Sequence, residues 1–220
     1  MTKSNWKRPR KVEVTNPLEK HFYIFCEGTK TEPNYFNGIK TKVESRAIYK
    51  NAVFVNVQGV GRGTIKIVEE AEIYVEKNDI KNSEIWIVYD KDDFPPDDFN
   101  NVAIRVQDLN NNNRQITYHV AWSNQCIEYW FILHFDYYVS DNDRAYYMDY
   151  LNKKFKDLKI GSYQKNDSLI FEKLEQYGDA DRAVRYAEKR LKEFENIPDS
   201  RSVPATKVHL LYKQLSKYFK

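Results

Sequence analysis

A short apolar run that ends in an acidic turn occurs twice in the first half of the chain, and it is the feature that most constrains the fold. Residues 22–25 form one such run, followed by Glu27. Residues 85–89 form the other, followed by Asp90 and Asp92. Continuous apolar runs of this length are typical of strands buried on both faces of a parallel sheet. Ligands bind at the carboxyl ends of such strands, so we expect the scaffold to bring these three acids together.

Strands and helices alternate in the pattern around these two runs. The predicted strands are residues 22–25, 52–57, 84–89 and 115–120, and the predicted helices between them are 33–45, 65–78 and about 97–110. Alternation at this spacing implies right-handed crossovers. The expected fold class is therefore α/β, with a parallel four-stranded sheet, helices on both faces and a helical C-terminal extension.

Composition shifts suggest three parts in the chain of 220 residues: a basic N-terminal arm at 1–20, an α/β domain at 21–140, and a helical extension at 141–220 packed on it. Helices are expected near 143–158, 168–177, 179–196 and 204–219.

The net charge is only +3, which excludes a histone-like polycation. The sequence contains no long apolar span and opens on no signal-peptide pattern, so the cytoplasm is the expected location. Two cysteines imply no disulfide framework.

Residues 125–135 are predicted to form a helix that is apolar almost all round and therefore buried, with Ser123 as its N-cap. A carboxylate at Glu128 inside such a helix is unfavourable unless it is paired or bound to a cation. Asn124 lies four residues earlier, on the same predicted helical face.

A glycine-rich turn, residues 58–64, follows the second strand and includes Arg62. Glycines at a strand-to-helix turn allow backbone N–H groups to approach an anion. The turn lacks both the Lys-Ser/Thr ending of a P-loop and the spacing of a dinucleotide fingerprint. A plain tight turn is therefore favoured over a phosphate cradle.

Hard oxygen ligands without histidine or thiolate favour Mg²⁺ or Mn²⁺. Magnesium held by carboxylates usually serves phosphate chemistry. An isolated Asp-x-Asp is more often a loop feature than a site, and the joint placement of Glu27, Asp90 and Asp92 at strand ends is what favours a metal site here.

These motifs resemble a known family. The Glu-Gly after the first strand and the Asp-x-Asp after the third resemble the Toprim domain of topoisomerases, primases and overcoming-lysogenization-defect nucleases. The wider pattern, over about residues 20–215, resembles the RloB family, also called AbiLii-like. It consists of Cys26-Glu27-Gly28, Thr31-Glu32-Pro33 and Tyr35-Phe36, then Val88-Tyr89-Asp90 with Asp92, then Ser123-Asn124, Cys126, Glu128, Trp130 and His134-Phe135, and finally Tyr163 with Lys165 and Pro204 with Thr206 and Val208. Gln125 departs from the pattern, because the family commonly has proline after Ser-Asn.

The resemblance implies a Toprim-like sheet and a metal-dependent nuclease that cleaves DNA or RNA, tRNA included. It implies an anti-phage, abortive-infection setting in which the protein is the toxic effector beside a partner ATPase of the ABC/SMC-like type (RloA- or AbiLi-like). The implied metal ligands are Glu27, Asp90, Asp92 and Glu128, with Glu27 alternatively the general acid or base and Lys165 the cation that stabilises the transition state. The candidate phosphate- or substrate-binding residues are Gly28, Lys30, Arg62, Asn124 and His134. The alternative for His134 is a hydrogen-bonded histidine at a buried helix end.

Two functional hypotheses remain open from the sequence. The first is a nuclease that uses Mg²⁺ or Mn²⁺, which the intact set of acids favours. The second is a non-catalytic module that binds or senses a nucleotide or nucleic acid, which the small net charge favours. A topoisomerase- or primase-like transferase is disfavoured, because the chain has no room for the accessory domains. Homo-oligomer formation remains open.

Overall fold

The structure is a computed structural model that describes residues 19–50, 52–61, 63–112 and 115–220. Most of the basic arm predicted at 1–20 therefore lies outside the described residues. The strands are β1 Lys20–Cys26, β2 Val53–Gly59, β3 Ser83–Asp90, β4 Ile116–Asn124 and β5 Ala205–Thr206. The helices are α1 Thr31–Glu44, α2 Ile65–Lys77, α3 Pro96–Asn112, α4 Glu128–Leu133, α5 Arg144–Asp157, α6 Ile170–Tyr177, α7 Ala180–Glu193 and α8 Val208–Ser216, with a 3₁₀ turn at Asp199–Arg201.

The five strands form one mixed sheet in the order β2-β1-β3-β4-β5. The first four strands are parallel, as predicted, and β5 runs antiparallel to β4. The expectation of a four-stranded parallel sheet is thus wrong by one strand. Because β5 is only two residues long, it has no periodicity that a sequence pattern can reveal. The helix predicted at 204–219 therefore includes both of its residues.

The sheet is covered on both faces, and the alternation of side chains along each strand explains how. On β1, Phe22 and Ile24 face one hydrophobic core, while Phe25 faces the other. The helices α2 and α3 pack over the second core, and α1 with the C-terminal helices packs over the first. A strand that is buried on both faces has a continuous run of apolar residues in the sequence. Such runs are the reason that β1 and β3 could be predicted.

The segment after β4 differs from the prediction. The strand continues through Asn124, and α4 begins only at Glu128. Ser123 is therefore not a helix N-cap. Its backbone pairs with Thr206 of β5, and its hydroxyl lies 3.1 Å from the Thr206 hydroxyl. The contact across to a strand more than eighty residues away decides the conformation of Ser123 over its local capping preference.

The C-terminal helices share the first core with the sheet. Tyr147 and Leu151 of α5, Phe171 of α6, Ala183 of α7 and Leu211 of α8 are all buried there. None of the helices in the described part of the chain is long and apolar enough to cross a membrane.

One buried hydrogen bond inside this core provides a test of the packing. The indole Nε1 of Trp130 donates to the Tyr35 hydroxyl at 2.9 Å, which joins α4 to α1. Both side chains are fully buried. Tyr35→Phe removes the acceptor and leaves a buried N–H unpaired, so it should reduce the free energy of unfolding by about 1–3 kcal/mol in urea denaturation. Tyr146→Phe is the matched control, because Tyr146 is 57% exposed, and it should change stability by less than about 0.5 kcal/mol. Equal effects of the two changes would contradict the assigned packing.

Candidate functional site

A cavity of about 360 Å³ opens at the carboxyl edge of the sheet, beside β1 and β3. The chain runs from β1 outward to β2 and then crosses β1 to reach β3 on its other side. The boundary between β1 and β3 is therefore the topological switch point, where open α/β sheets bind ligands. The cavity is lined by Glu27, Gly28, Thr29, Lys30, Thr31, Glu32, Asp90, Asp92, Cys126, Ile127, Glu128, Lys165 and Asn166.

Glu27 and Asp90 are joined by backbone hydrogen bonds across the switch point. The N–H of Glu27 donates to the carbonyl oxygen of Val88 at 2.9 Å, which extends the pairing of β1 with β3 by one residue. The N–H of Asp90 donates to Glu27 Oε2 at 3.0 Å. The N–H of Ile127, just before α4, donates to Asp90 Oδ2 at 3.1 Å. Two backbone donors, one from the end of β3 and one just before α4, thus hold these two carboxylates in position.

Asp90 is buried, and one of its oxygens is unsatisfied. Within the described residues, Oδ1 has no hydrogen-bond partner. Burial and, after it, the negative charges of Glu32, Glu128, Asp92 and Glu27 hold the pKa of Asp90 well above its ordinary range. A buried carboxylate oxygen with no donor is unfavourable, and a cation is one group that would satisfy it.

Glu27 and Glu32 have strongly raised pKa values. Burial, which outweighs the hydrogen bond from the Asp90 N–H, raises the pKa of Glu27 to about 7. Burial and the neighbouring Glu128 carboxylate raise the pKa of Glu32 to about 7, against the opposing effect of Lys165. Without a bound cation, these side chains therefore exchange protons near neutral pH.

Glu32 is a residue of the site that our sequence analysis did not select. It lies in the first turn of α1, where an acidic residue is ordinarily explained by the helix dipole. Gly28 makes room for it, since a Cβ at position 28 would lie 2.3 Å from Glu32 Oε2. The one sequence signal was the short spacing from Glu27 to Glu32 across a strand-to-helix turn, which places both at the same sheet edge. Gly28 was proposed to bind phosphate; in the structure it provides space for a carboxylate.

Glu128 lies in the cavity wall and is 1% exposed. The Tyr163 hydroxyl donates to its Oε1 at 2.8 Å, and the Lys165 Nζ lies 3.9 Å from the same oxygen. The Thr31 hydroxyl donates to the backbone carbonyl of Lys165 at 2.8 Å, which holds the Lys165 segment against the start of α1. Lys165 itself is 53% exposed, so its ammonium group is accessible from the cavity mouth.

Asp92 lines the same cavity but is already paired. Its Oδ1 accepts from Arg144 Nη1 at 2.9 Å, and Arg144 Nη2 bonds Asp93 Oδ2 at 3.0 Å. Arg144, the first residue of α5, was not selected from the sequence. Among the described residues, no three His, Cys, Asp or Glu side chains are arranged so that they could hold a metal ion.

Several predicted site residues are not part of this cluster. Asn124 donates to the backbone carbonyl of Ser200 at 3.1 Å, because it ends β4 and does not share a helical face with Glu128. His134 lies at the far end of α4, beside a different cavity, where its Nδ1–H donates to the carbonyl of Trp130 at 3.0 Å. Burial lowers the pKa of His134 to about 4, so it is the neutral, hydrogen-bonded histidine of the alternative interpretation. Lys30 lines the cavity, and Arg62 lies outside the described residues.

Two backbone donors of the glycine-rich turn are already bonded to the neighbouring strand. The N–H of Val60 donates to the carbonyl of Cys26, and the N–H of Gly61 donates to that of Glu27, both at 2.9 Å. These donors extend the pairing of β2 with β1 and are not free for an anion.

The acidic side chains that line the cavity provide the kind of donor atom that a magnesium-like cation prefers. All five acidic side chains in the cavity wall offer oxygen, which is the donor that Mg²⁺ and Mn²⁺ prefer. Magnesium in proteins is usually held by one or two carboxylates, with water and substrate phosphate completing its shell. A cavity with no three-ligand group is compatible with that mode of binding and not with a fully protein-enclosed site.

Comparison with family models gave a match over most of the chain. The model of the family described as RloB-like protein matches residues 22–215. No curated protein and no solved structure was found to match the chain significantly.

The raised pKa of Glu32 predicts a pH-dependent effect of Glu32→Gln in the metal-free protein. The pKa is about 7 in the folded state and 4.5 ordinarily, so the stability that this group contributes is fully present below 4.5 and is lost as the pH rises through about 7. Glu32→Gln should therefore unfold like wild type near pH 4 and be more stable by about 1–3 kcal/mol near pH 8, in urea titrations with EDTA. Glu44→Gln, at the exposed end of the same helix, should show no such dependence. A Glu32→Gln gain that is the same at both pH values would refute the assignment.

Proposed function

This chain belongs to the RloB-like protein family, and from that membership together with the acidic cavity we propose that it is a metal-dependent nuclease that cleaves phosphodiester bonds in DNA or RNA. We also propose, from the sequence resemblance, that it acts as the effector of an anti-phage system beside a partner ATPase. The Toprim-like assignment of the sheet belongs to the same proposal. It is supported by the position of Glu27 and Asp90 at the ends of adjacent parallel strands.

The observation that carries the proposal is the charge of the cavity. Its wall contains five carboxylates and two lysines. In their ionised form these carboxylates would repel a phosphate group, and a divalent cation would both favour the ionised form and offset that repulsion. A site that combines buried carboxylates with a lysine at its mouth therefore fits a divalent cation and an anionic substrate together.

Glu27 and Asp90 are the residues that would hold Mg²⁺ or Mn²⁺, because both line the cavity at the switch point and Asp90 Oδ1 lacks a partner among the described residues. Glu32 and Glu128 are further oxygen donors in the same wall. A bound divalent cation supplies neutralisation of the charge on a phosphoryl group and a lower pKa for attacking water.

The chain's own groups contribute proton transfer and charge. In the alternative in which Glu27 does not bind the cation, its pKa of about 7 lets it accept or release a proton at neutral pH, which is the property required of a general base or acid. Lys165 can contact a phosphate oxygen as a point charge, since its ammonium is half-exposed and its backbone is anchored by Thr31. The carboxylate of Glu128 and the hydroxyl of Tyr163 flank that ammonium.

A specific observation favours the second function, a non-catalytic module that binds or senses a nucleotide or nucleic acid. Asp92, which the sequence assigns as a metal ligand, is paired with Arg144. In that version the cavity binds its ligand without cleavage, and the partner ATPase performs the work. The cleavage experiments below distinguish the two.

Glu27→Gln and Asp90→Asn should each reduce cleavage by about 100-fold or more, because each keeps the shape and removes the charge that binds the cation. Folding should persist, since removal of one charge from a cluster of like charges relieves repulsion. The assay is cleavage of DNA and of total tRNA with Mg²⁺ or Mn²⁺, with and without the ATPase, beside calorimetric metal titration. Asp93→Asn is the matched control; its side chain is 90% exposed, and it should cleave like wild type. Full activity in Glu27→Gln would exclude the nuclease mechanism and leave the binding module.

Lys165→Ala tests the phosphate contact separately from the cation. We expect cleavage about tenfold slower or more, with a metal affinity close to that of wild type, because the lysine stabilises phosphate and not the ion. The comparison is single-turnover cleavage beside metal affinity by calorimetry. A variant that loses metal binding and cleavage in equal measure would show that Lys165 acts by organising the carboxylates.

A further inference from the structure

A stripe of three basic side chains runs along the outer face of α7. Arg185, Lys189 and Lys192 are spaced by four and then three residues, so they lie on one helical face, and all three are exposed. The opposite face of the helix buries Ala183 and Ala187 in the core. The stripe is therefore fixed outward by the packing of α7, and we call these three residues the α7 stripe.

Each acidic residue of α7 forms its ion pair with a base outside the stripe. Asp181 pairs with Lys220, and Glu188 pairs with Lys213. Lys213 lies in α8, and Lys220 follows that helix in the chain. Glu193 is bound by Arg190 of the same helix. In the described part of the chain, no ion pair involves Arg185, Lys189 or Lys192. The α7 stripe therefore has no close ion-pair partner, although each of its residues interacts electrostatically at longer range with one acid: Arg185 with Asp179, Lys189 with Glu193 and Lys192 with Glu188.

The middle residue of the stripe is held in place by an aromatic side chain. Lys189 Nζ lies 4.3 Å from the centre of the Tyr137 ring. The Tyr137 hydroxyl donates to Glu193, and its ring packs against Tyr186 at 5.0 Å. A cation–π contact restrains the lysine stem while its ammonium stays in solvent, which reduces the entropy lost when the ammonium binds an anion.

The stripe is connected to the candidate active site through α4. The N–H of Asp179, the N-cap of α7, donates to the carbonyl of His134 at 2.9 Å, and Arg182 donates to the same carbonyl at 2.7 Å. His134 ends the helix that Glu128 begins in the cavity wall. Because α4 has six residues, its length is about 9 Å, and the stripe begins at Arg185, about 9 Å beyond the N-cap of α7. A strand of several nucleotides is therefore needed to reach from the stripe to the cavity wall.

We propose that the α7 stripe binds the phosphate backbone of the nucleic acid on which the acidic cavity acts; this rests on the proposed nuclease function. From Arg185 to Lys192 the helix rises about 10 Å, which matches roughly three successive phosphates of one strand. The charge complementarity is to a polyanion, and the contact carries no base specificity. It supplies the substrate attraction that the acidic cavity cannot provide.

The test uses the full chain in EDTA, so that binding is measured without cleavage. Fluorescence anisotropy of a labelled DNA duplex and a labelled RNA stem-loop is recorded over a KCl series. For the combined change Arg185→Ala, Lys189→Ala and Lys192→Ala we expect binding about 10- to 100-fold weaker and a salt slope lower by about 2 to 3. The matched control replaces Lys20, Lys50 and Lys77, three exposed lysines near the amino ends of the strands, with Ala. It removes the same net charge and should bind nearly as wild type.

Three outcomes would overturn the inference: equal weakening in the two triple variants, no change in the α7 variant, or no salt-dependent binding of either probe by the wild type. In the last case, binding of an acidic protein would be the remaining use of the stripe. The nuclease proposal would be overturned, and the stripe proposal kept, if the wild type binds nucleic acid through the stripe but never cleaves it. Glu27→Gln separates the two, because it should lose cleavage and keep the wild-type salt slope.

Discussion

Repulsion among carboxylates that share one cavity is the constraint on which the site depends. Glu27, Glu32 and Asp90 are held in place although burial and, after it, repulsion from neighbouring carboxylates raise the pKa of each. The backbone N–H groups of Asp90 and Ile127 compensate part of this by donating to Glu27 and Asp90. Two apolar cores, one on each face of the sheet, supply the stability that allows such an arrangement to persist. Carboxylates kept together against repulsion are characteristic of functional sites.

The C-terminal half completes this site, in addition to covering the sheet. Tyr163 and Lys165 contact Glu128, and Arg144 binds Asp92. Thr206 belongs to the edge strand that pairs with Ser123 at the end of β4. Glu27, Asp90 and Asp92 lie at strand ends of the first half, whereas the bases that pair with Asp92 and Glu128 come from the second half. The charge balance of the cavity is therefore a product of the tertiary fold.

Charge is separated within the molecule in a way that its small net value conceals. Acidic side chains line the cavity at the switch point, and exposed basic side chains that form no ion pair among the described residues lie outward on α7. The acids of that helix form their ion pairs with Lys213, Lys220 and Arg190. A basic surface of this kind attracts a polyanion.

The sequence by itself determined the elements and the position of the main acids. Continuous apolar runs identified β1 and β3, and because parallel strands end at a common edge, Glu27 and Asp90 could be placed beside each other. The alternating pattern gave the α/β class and the C-terminal helices. These features are local or periodic, and so a pattern along the chain contains them.

Tertiary structure decided the rest. Only the fold shows that Glu32 faces the acids, that Arg144 binds Asp92, and that Ser123 pairs with Thr206 and does not cap a helix. The same holds for Asn124, which bonds the backbone of Ser200, and for His134, which lies at the far end of α4. In some of these cases the residue that the side chain contacts is distant in the chain. In the others the direction of the side chain depends on where a strand ends. Local propensity is worth only a fraction of the energy of such buried contacts, so the contacts determine the outcome.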